Sequence, residues 1–178
     1  LQHARLSPVL PTDAEPTLAI ALGGLGMRLV DLAQMYAGIA RGGEAIDLVW
    51  REGMTSKVPV SLLTASAAWQ VADILRHAPP PVLAKGGQIA YKTGTSYGYR
   101  DAWSVGFDGR HTIAVWVGRA DGAAVPGLNG RQSAAPLLFD AFHRLSEKRV
   151  PLPAAPPGVL KVSRGQPLPP PLRIFGTV

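Results

Sequence analysis

The stretch Ala90-Tyr91-Lys92-Thr93-Gly94-Thr95-Ser96-Tyr97-Gly98-Tyr99-Arg100-Asp101-Ala102-Trp103-Ser104-Val105-Gly106-Phe107 decides the fold. From Gln88 to Thr93 the residues alternate, Ile89 and Tyr91 pointing one way and Ala90 and Lys92 the other, the period of a half-buried strand. Trp103, Val105 and Phe107 alternate again before Asp108-Gly109, a turn signal. Thr112 to Gly118 runs apolar on both faces, as a central strand does. Gln88–Thr93, Trp103–Phe107 and Thr112–Gly118 are therefore expected as neighbouring antiparallel strands. At the end of the first stands Lys92-Thr93-Gly94-Thr95-Ser96, a set suited to a ligand with a carboxylate and an acyl group. Lys92 brings a cation, Thr93 and Thr95 bring hydroxyl donors, and Gly94 leaves the wall bare for a substrate backbone. Lys92, Thr93 and Thr95 are expected along one open edge, with Ser96 as a polar residue beside it.

Helical patterns flank this β block. Leu25, Leu29, Leu32, Tyr36 and Ile39 recur at steps of four and three, which predicts a helix from Gly23 to Gly43, ended by Gly42-Gly43. Glu44 to Pro59 reads as strand and turn. Thr64 is a suitable N-cap for a helix over about Ala65–His77, stopped by Pro79-Pro80-Pro81. Ser133 is expected to cap a last helix to Leu145, with Pro136 tolerated in its first turn and Leu138, Phe142 and Leu145 inward. Residues 1–18 read as loop or extended chain. Residues 151–171 hold eight of the 17 prolines and read as a stiff, extended linker. Leu172 to Val178 reads as the opening of another module. The combination is an α/β (α+β) fold: an antiparallel sheet with helices on both faces.

The chain of 178 residues is 47% apolar, enough to bury the core of one domain. It starts at Leu1 rather than Met and stops beside an apolar segment, so it reads as part of something longer. No run of about 18 apolar residues is present, and a membrane anchor, if there is one, is expected upstream. The lack of cysteine excludes disulfides and thiolate metal sites and fits an oxidising compartment. The net charge is +6, of which residues 146–178 carry +4. That excess is interleaved with proline instead of lying on an aromatic-studded face, which argues against nucleic acid and fits attraction to an anionic envelope surface.

Other motifs carry less. Gly94-Thr95-Ser96-Tyr97-Gly98 matches the Gly-x-Ser-x-Gly elbow of serine hydrolases, with Asp101 or Asp108 and His111 or His143 in a suitable order. An elbow passes from strand into helix, whereas Tyr99 to Phe107 reads as loop and strand. His3, His77, His111 and His143 share no ligand spacing, so no metal site is expected and no cofactor motif is present. Gly23-Gly24-Leu25-Gly26 lacks the spacing of a phosphate cradle. Trp69 and Trp116 are expected in the core and Trp103 near the motif loop, which an Arg100–Asp101 ion pair would brace.

Longer stretches resemble bifunctional penicillin-binding proteins, most closely the 1C type: Leu18 to Gly43, Ala68 to Leu75, Ala90 to Phe107 and Ser133 to Phe142, in the order of the C-terminal part of the transpeptidase domain. The resemblance covers roughly residues 15–145. It implies residues 1–145 as the transpeptidase portion, 146–159 as a linker and 160–178 as the start of a C-terminal β-domain. It also implies peptidoglycan crosslinking in the bacterial periplasm, a parent chain anchored to the inner membrane and carrying a glycosyltransferase domain, and stem peptides and β-lactams as ligands. By the same resemblance Lys92 anchors the substrate carboxylate, Thr93 and Thr95 hydrogen-bond it, and the Thr95 N–H supplies half of the oxyanion hole. The family's Ser-x-x-Lys and Ser-x-Asn motifs have no counterpart. None of the five lysines has Ser three residues before it, and Gly127 stands two before the only asparagine, Asn129. The site would be completed by upstream sequence. The alternative is a non-catalytic envelope interaction module derived from such an enzyme.

Overall fold

Three antiparallel strands form the centre of the computed structural model, which describes residues 5–10, 17–56, 58–82, 84, 87–146, 148–160, 162, 167 and 170. They are β3 (Ala90–Thr95), β4 (Asp101–Phe107) and β5 (Thr112–Gly118), in the order β3-β4-β5. Ala90 pairs with Phe107 and Thr95 with Ala102; Asp101 pairs with Gly118 and Phe107 with Thr112. A separate two-stranded ribbon joins β1 (Glu44–Ala45) to β2 (Val60–Ser61). The helices are α1 (Leu29–Ala40), α2 (Ala65–Arg76) and α3 (Ala135–Leu145).

Alternation along β3 divides the core into two layers. Ile89 and Tyr91 face α3, packing with Leu138, Phe139 and Phe142; the Tyr91 and Phe139 rings meet edge-on, centroids 5.0 Å apart. Ala90 faces the other way and packs with Phe107, Ala72 of α2, and Tyr36 and Ile39 of α1. Helices therefore cover both faces of the sheet, as expected. Among the described residues β5 pairs only with β4, yet both its faces are apolar because α1 and α3 contact it from opposite sides.

Several local expectations change. The first helix starts at Leu29 rather than Gly23, because the backbone of Gly26 pairs with Val9 in both directions at 2.8 Å. Leu25 thus lies outside the helix, and a short 3₁₀ turn precedes it at Leu18–Leu22. At the other end Gly43, with φ +99°, donates to Gly38 O at 2.8 Å and closes α1. Thr64 caps α2 by accepting from Ala67 N. Ser133 does not cap α3. A π-helical turn, Gly130–Ala134, leads into that helix, and Asn129 caps the turn by accepting from Gln132 N at 2.9 Å. Trp69 and Trp116 are only half-buried, because the indole of each reaches a polar acceptor at the surface of the core. The module expected at Leu172 to Val178 lies outside the described residues.

After α3 the chain folds back on itself. Arg149 Nη1 donates to Phe142 O and Ser146 O, each at 2.7 Å, satisfying carbonyls at the C-terminal end of α3. Val150 O accepts from Gly109 N at 2.9 Å, and Val150 N donates to Asp108 Oδ2 at 3.4 Å. Leu152 packs against the Phe107 layer, and Trp69 Nε1 donates to Pro153 O at 3.1 Å. Residues 149–153, which run into the start of the stretch expected as an extended linker at residues 151–171, are thereby pinned to the end of the sheet remote from Thr95.

Candidate functional site

β3 is an edge strand among the described residues, and the ladder sets which of its polar groups are free. Ser96 N donates to Asp101 O at 3.0 Å, so Ser96, and with it Gly94 and Lys92, direct their backbone groups towards β4. Thr93 and Thr95 then turn their N–H and C=O groups outward to the open edge. Lys92 is exposed, and its ammonium donates to the Thr93 carbonyl, consistent with that carbonyl facing out. An ammonium has three donors, so two remain for a ligand.

The motif side chains divide between the faces. Lys92 shares its row with Ala90, Gly94, Val105 and Trp103 on the α1/α2 side, whereas Thr93 and Thr95 share theirs with Tyr91, Ser104 and Ala102 on the α3 side. The cation and the hydroxyls can converge only beyond the strand edge. Gly94 leaves the Lys92 face bare at this point: a Cβ there would meet nothing nearer than Trp103 Cβ at 3.6 Å. Thr95 Oγ1 accepts from Gly130 N at 3.0 Å. Across from Thr93, the Ser104 hydroxyl is fully buried and has no hydrogen-bond partner.

Beyond Thr95 the chain makes a hairpin. Ser96 Oγ accepts from Asp101 N at 2.8 Å, Gly98 and Tyr99 both have positive φ, and Val125 N donates to Tyr99 O at 2.9 Å. Tyr97 is fully exposed and Tyr99 about half exposed at its tip. The hairpin rules out the hydrolase elbow, since the chain passes from strand to strand and the Ser96 hydroxyl is used to close the turn. Asp108 and His111 lie at the far end of β4, roughly 20 Å from Asp101 at about 3.3 Å per residue. The expected Arg100–Asp101 pair is replaced by a bond from Trp116 Nε1 to Asp101 Oδ1 at 2.8 Å. Trp103 does lie near the motif, paired with Gly94 and tilted against Trp116.

Sequence reasoning missed Gly130, Asn129 and Ser104. Asn129-Gly130 has the composition of a turn, but nothing in it signals contact with a strand 35 residues earlier. Groups of His, Asp and Glu able to hold a metal ion are absent among the described residues.

An antiparallel sheet between helical layers, with Lys-Thr-Gly on its edge strand, defines a partial penicillin-binding transpeptidase-like fold. The chain superposes on penicillin-binding protein 1A of Haemophilus influenzae with a TM-score of 0.66 at 16% identity, covering 88% of this chain and 31% of that one. It superposes on the PonA1 protein of Mycobacterium tuberculosis, solved in complex with penicillin V, with a TM-score of 0.60 at 20% identity, covering 85% and 50%. In sequence it is 38% identical over 160 residues to penicillin-binding protein 1C of Escherichia coli K12, a match spanning 88% of this chain. The chain is homologous to penicillin-binding protein 1C and is part of a penicillin-binding transpeptidase domain. It spans about a fifth (21%) of the length of that relative. No protein-family model matches it.

Proposed function

We propose that this chain supplies the carboxylate- and acyl-binding edge of a serine D,D-transpeptidase that crosslinks peptidoglycan. The observation that carries the reading is the open edge of β3, with the backbone groups of Thr93 and Thr95 turned outward and Lys92 exposed beside them. A stem peptide can lie along such an edge as an added strand, its terminal carboxylate against Lys92 and the hydroxyls of Thr93 and Thr95. Gly94 leaves room for it, and Ser96 holds the hairpin that ends the strand. The outward Thr95 N–H then faces the oxygen that becomes negative during acyl transfer.

The nucleophilic serine comes from sequence outside these 178 residues. Its oxygen attacks the carbonyl of the penultimate D-alanine, the terminal D-alanine leaves as an amine, and the ester is transferred to an amine of a second stem peptide. Homology to penicillin-binding protein 1C supports this activity in the parent, and the penicillin V complex of PonA1 supports β-lactams as ligands. The proposal extends to a periplasmic parent anchored to the inner membrane through its N-terminal part, which also carries a glycosyltransferase. Residues 1–145 belong to the transpeptidase domain, 146–159 link it to a C-terminal β-domain, and that domain begins at about residue 160.

A second reading, a non-catalytic envelope interaction module, draws on the lack of Ser-x-x-Lys and Ser-x-Asn in this chain. A fluorescent penicillin separates the two. The enzyme reading predicts covalent labelling of the full-length protein at a serine upstream of Leu1, and no labelling of residues 1–178 expressed alone. A full-length protein that takes up no label supports the module. An adduct on Ser96, or on any residue of this chain, overturns both.

A further inference from the structure

The loop between β5 and α3 reaches back to the motif strand through Gly130. Leu128 is buried against Ala102 and Ala134, and Asn129 is held by Gln132 through its Oδ1 and its amide nitrogen, each at 2.9 Å. These anchors place Gly130, itself buried, directly against β3 and β4. A Cβ at this position would stand 2.5 Å from Gly94 O, 2.7 Å from Trp103 O and 3.0 Å from Gly94 N. All three are backbone atoms, so only glycine brings its N–H this close. That N–H donates to Thr95 Oγ1 at 3.0 Å.

We propose that Gly130 is a positioning residue for the Thr95 hydroxyl in substrate-carboxylate recognition. A threonine hydroxyl has one proton and two lone pairs. With one lone pair taken by Gly130, the proton is left to be donated to a ligand, and the branched Cβ limits the rotamers open to the side chain. The Thr95 rotamer is thereby held, and Thr95 lies on the edge strand with its own backbone facing out. An incoming carboxylate meets a hydroxyl whose oxygen is already in place. This inference rests on the reading of Thr95 as a carboxylate-binding residue.

A double-mutant cycle in the full-length protein tests it, read as the second-order rate of acylation by benzylpenicillin and by its methyl ester, which lacks the carboxylate. Thr95→Val keeps the shape and removes the hydroxyl. Asn129→Ala, which releases the Gln132 anchor and adds no atom against Gly94, lowers the rate for benzylpenicillin about tenfold, leaves the rate for the ester within about twofold, and loses its effect in the Thr95→Val background. Gln132→Ala, which removes the same anchor from the other side, follows the same pattern and serves if Asn129→Ala does not fold. Should Thr95→Val acylate normally, the reading of Thr95 fails. If Thr95→Val is slow but the Asn129 and Gln132 substitutions act equally on acid and ester, or equally with and without the hydroxyl, the positioning role is refuted while the carboxylate reading stands.

Discussion

Replacing Asp108 tests how the sheet is joined to the segment that follows the last helix. Its side chain is 2% exposed, and its carboxylate accepts from Arg110 N at 2.8 Å, His111 N at 2.7 Å and Val150 N at 3.4 Å. Burial acts to raise its pKa, but the bonds from His111, Arg110 and Val150 and the nearby His111 ring together hold it below the ordinary aspartate value. A depressed folded-state pKa contributes stability that is complete above the unfolded value of about 3.9 and is lost as pH falls through the folded value. Asp108→Ala leaves three N–H groups without their acceptor and is expected to cost roughly 3–5 kcal/mol at pH 7. Asp108→Asn keeps one oxygen for the β4–β5 turn and strands only Val150 N, a loss of about 1–2 kcal/mol. Urea unfolding followed by tryptophan fluorescence measures both, and repeating the wild type below pH 4 shows a decline that neither variant shares in full. An Asp108→Ala protein within about 0.5 kcal/mol of wild type would refute the account of this junction.

Phe142→Ala removes the ring at the centre of the α3 layer, which is fully buried and lies under the Arg149 guanidinium, and is expected to lower stability by about 3–5 kcal/mol in the same urea assay. Trp69→Phe keeps a ring but loses the bond to Pro153 O, so trypsin cleavage after Arg149 is expected to accelerate while global stability falls by only about 1 kcal/mol. Equal cleavage rates in the two proteins would show that residues 149–153 are not held by this contact.

Elements whose apolar residues repeat with a clean period were legible in the sequence. β5 matches its expected span, β4 gains only Asp101 and Ala102, and α2 begins after its Thr64 cap as read. The opposite parity of Ile89 and Tyr91 against Ala90 and Lys92 was legible, but which helix covers which face was not. What escaped depends on contacts between distant residues. The start of α1 is displaced because Val9 pairs with Gly26, and no local pattern in the Gly23–Gly26 segment reports that partner. Asp101 bonds Trp116 rather than its neighbour Arg100 because the strand register brings Gly118 opposite Asp101, a fact fixed only when β4 and β5 meet. The motif tripeptide stands out in the sequence because the chemistry proposed for it is carried by residue type. The bond from Gly130 N to Thr95 Oγ1 does not, since a backbone N–H leaves no mark on composition.

The exposed Lys92 ammonium carries the central claim, and its removal in the full-length protein is the direct test. A carboxylate bound at this edge would lose a charge-assisted partner worth roughly 2–4 kcal/mol, so Lys92→Ala is expected to slow acylation by benzylpenicillin by about 30- to 1,000-fold. Lys92→Arg recovers only part of the rate, because a planar fork replaces a compact ammonium. A folded Lys92→Ala protein that acylates at the wild-type rate would contradict the assignment of this edge to carboxylate binding.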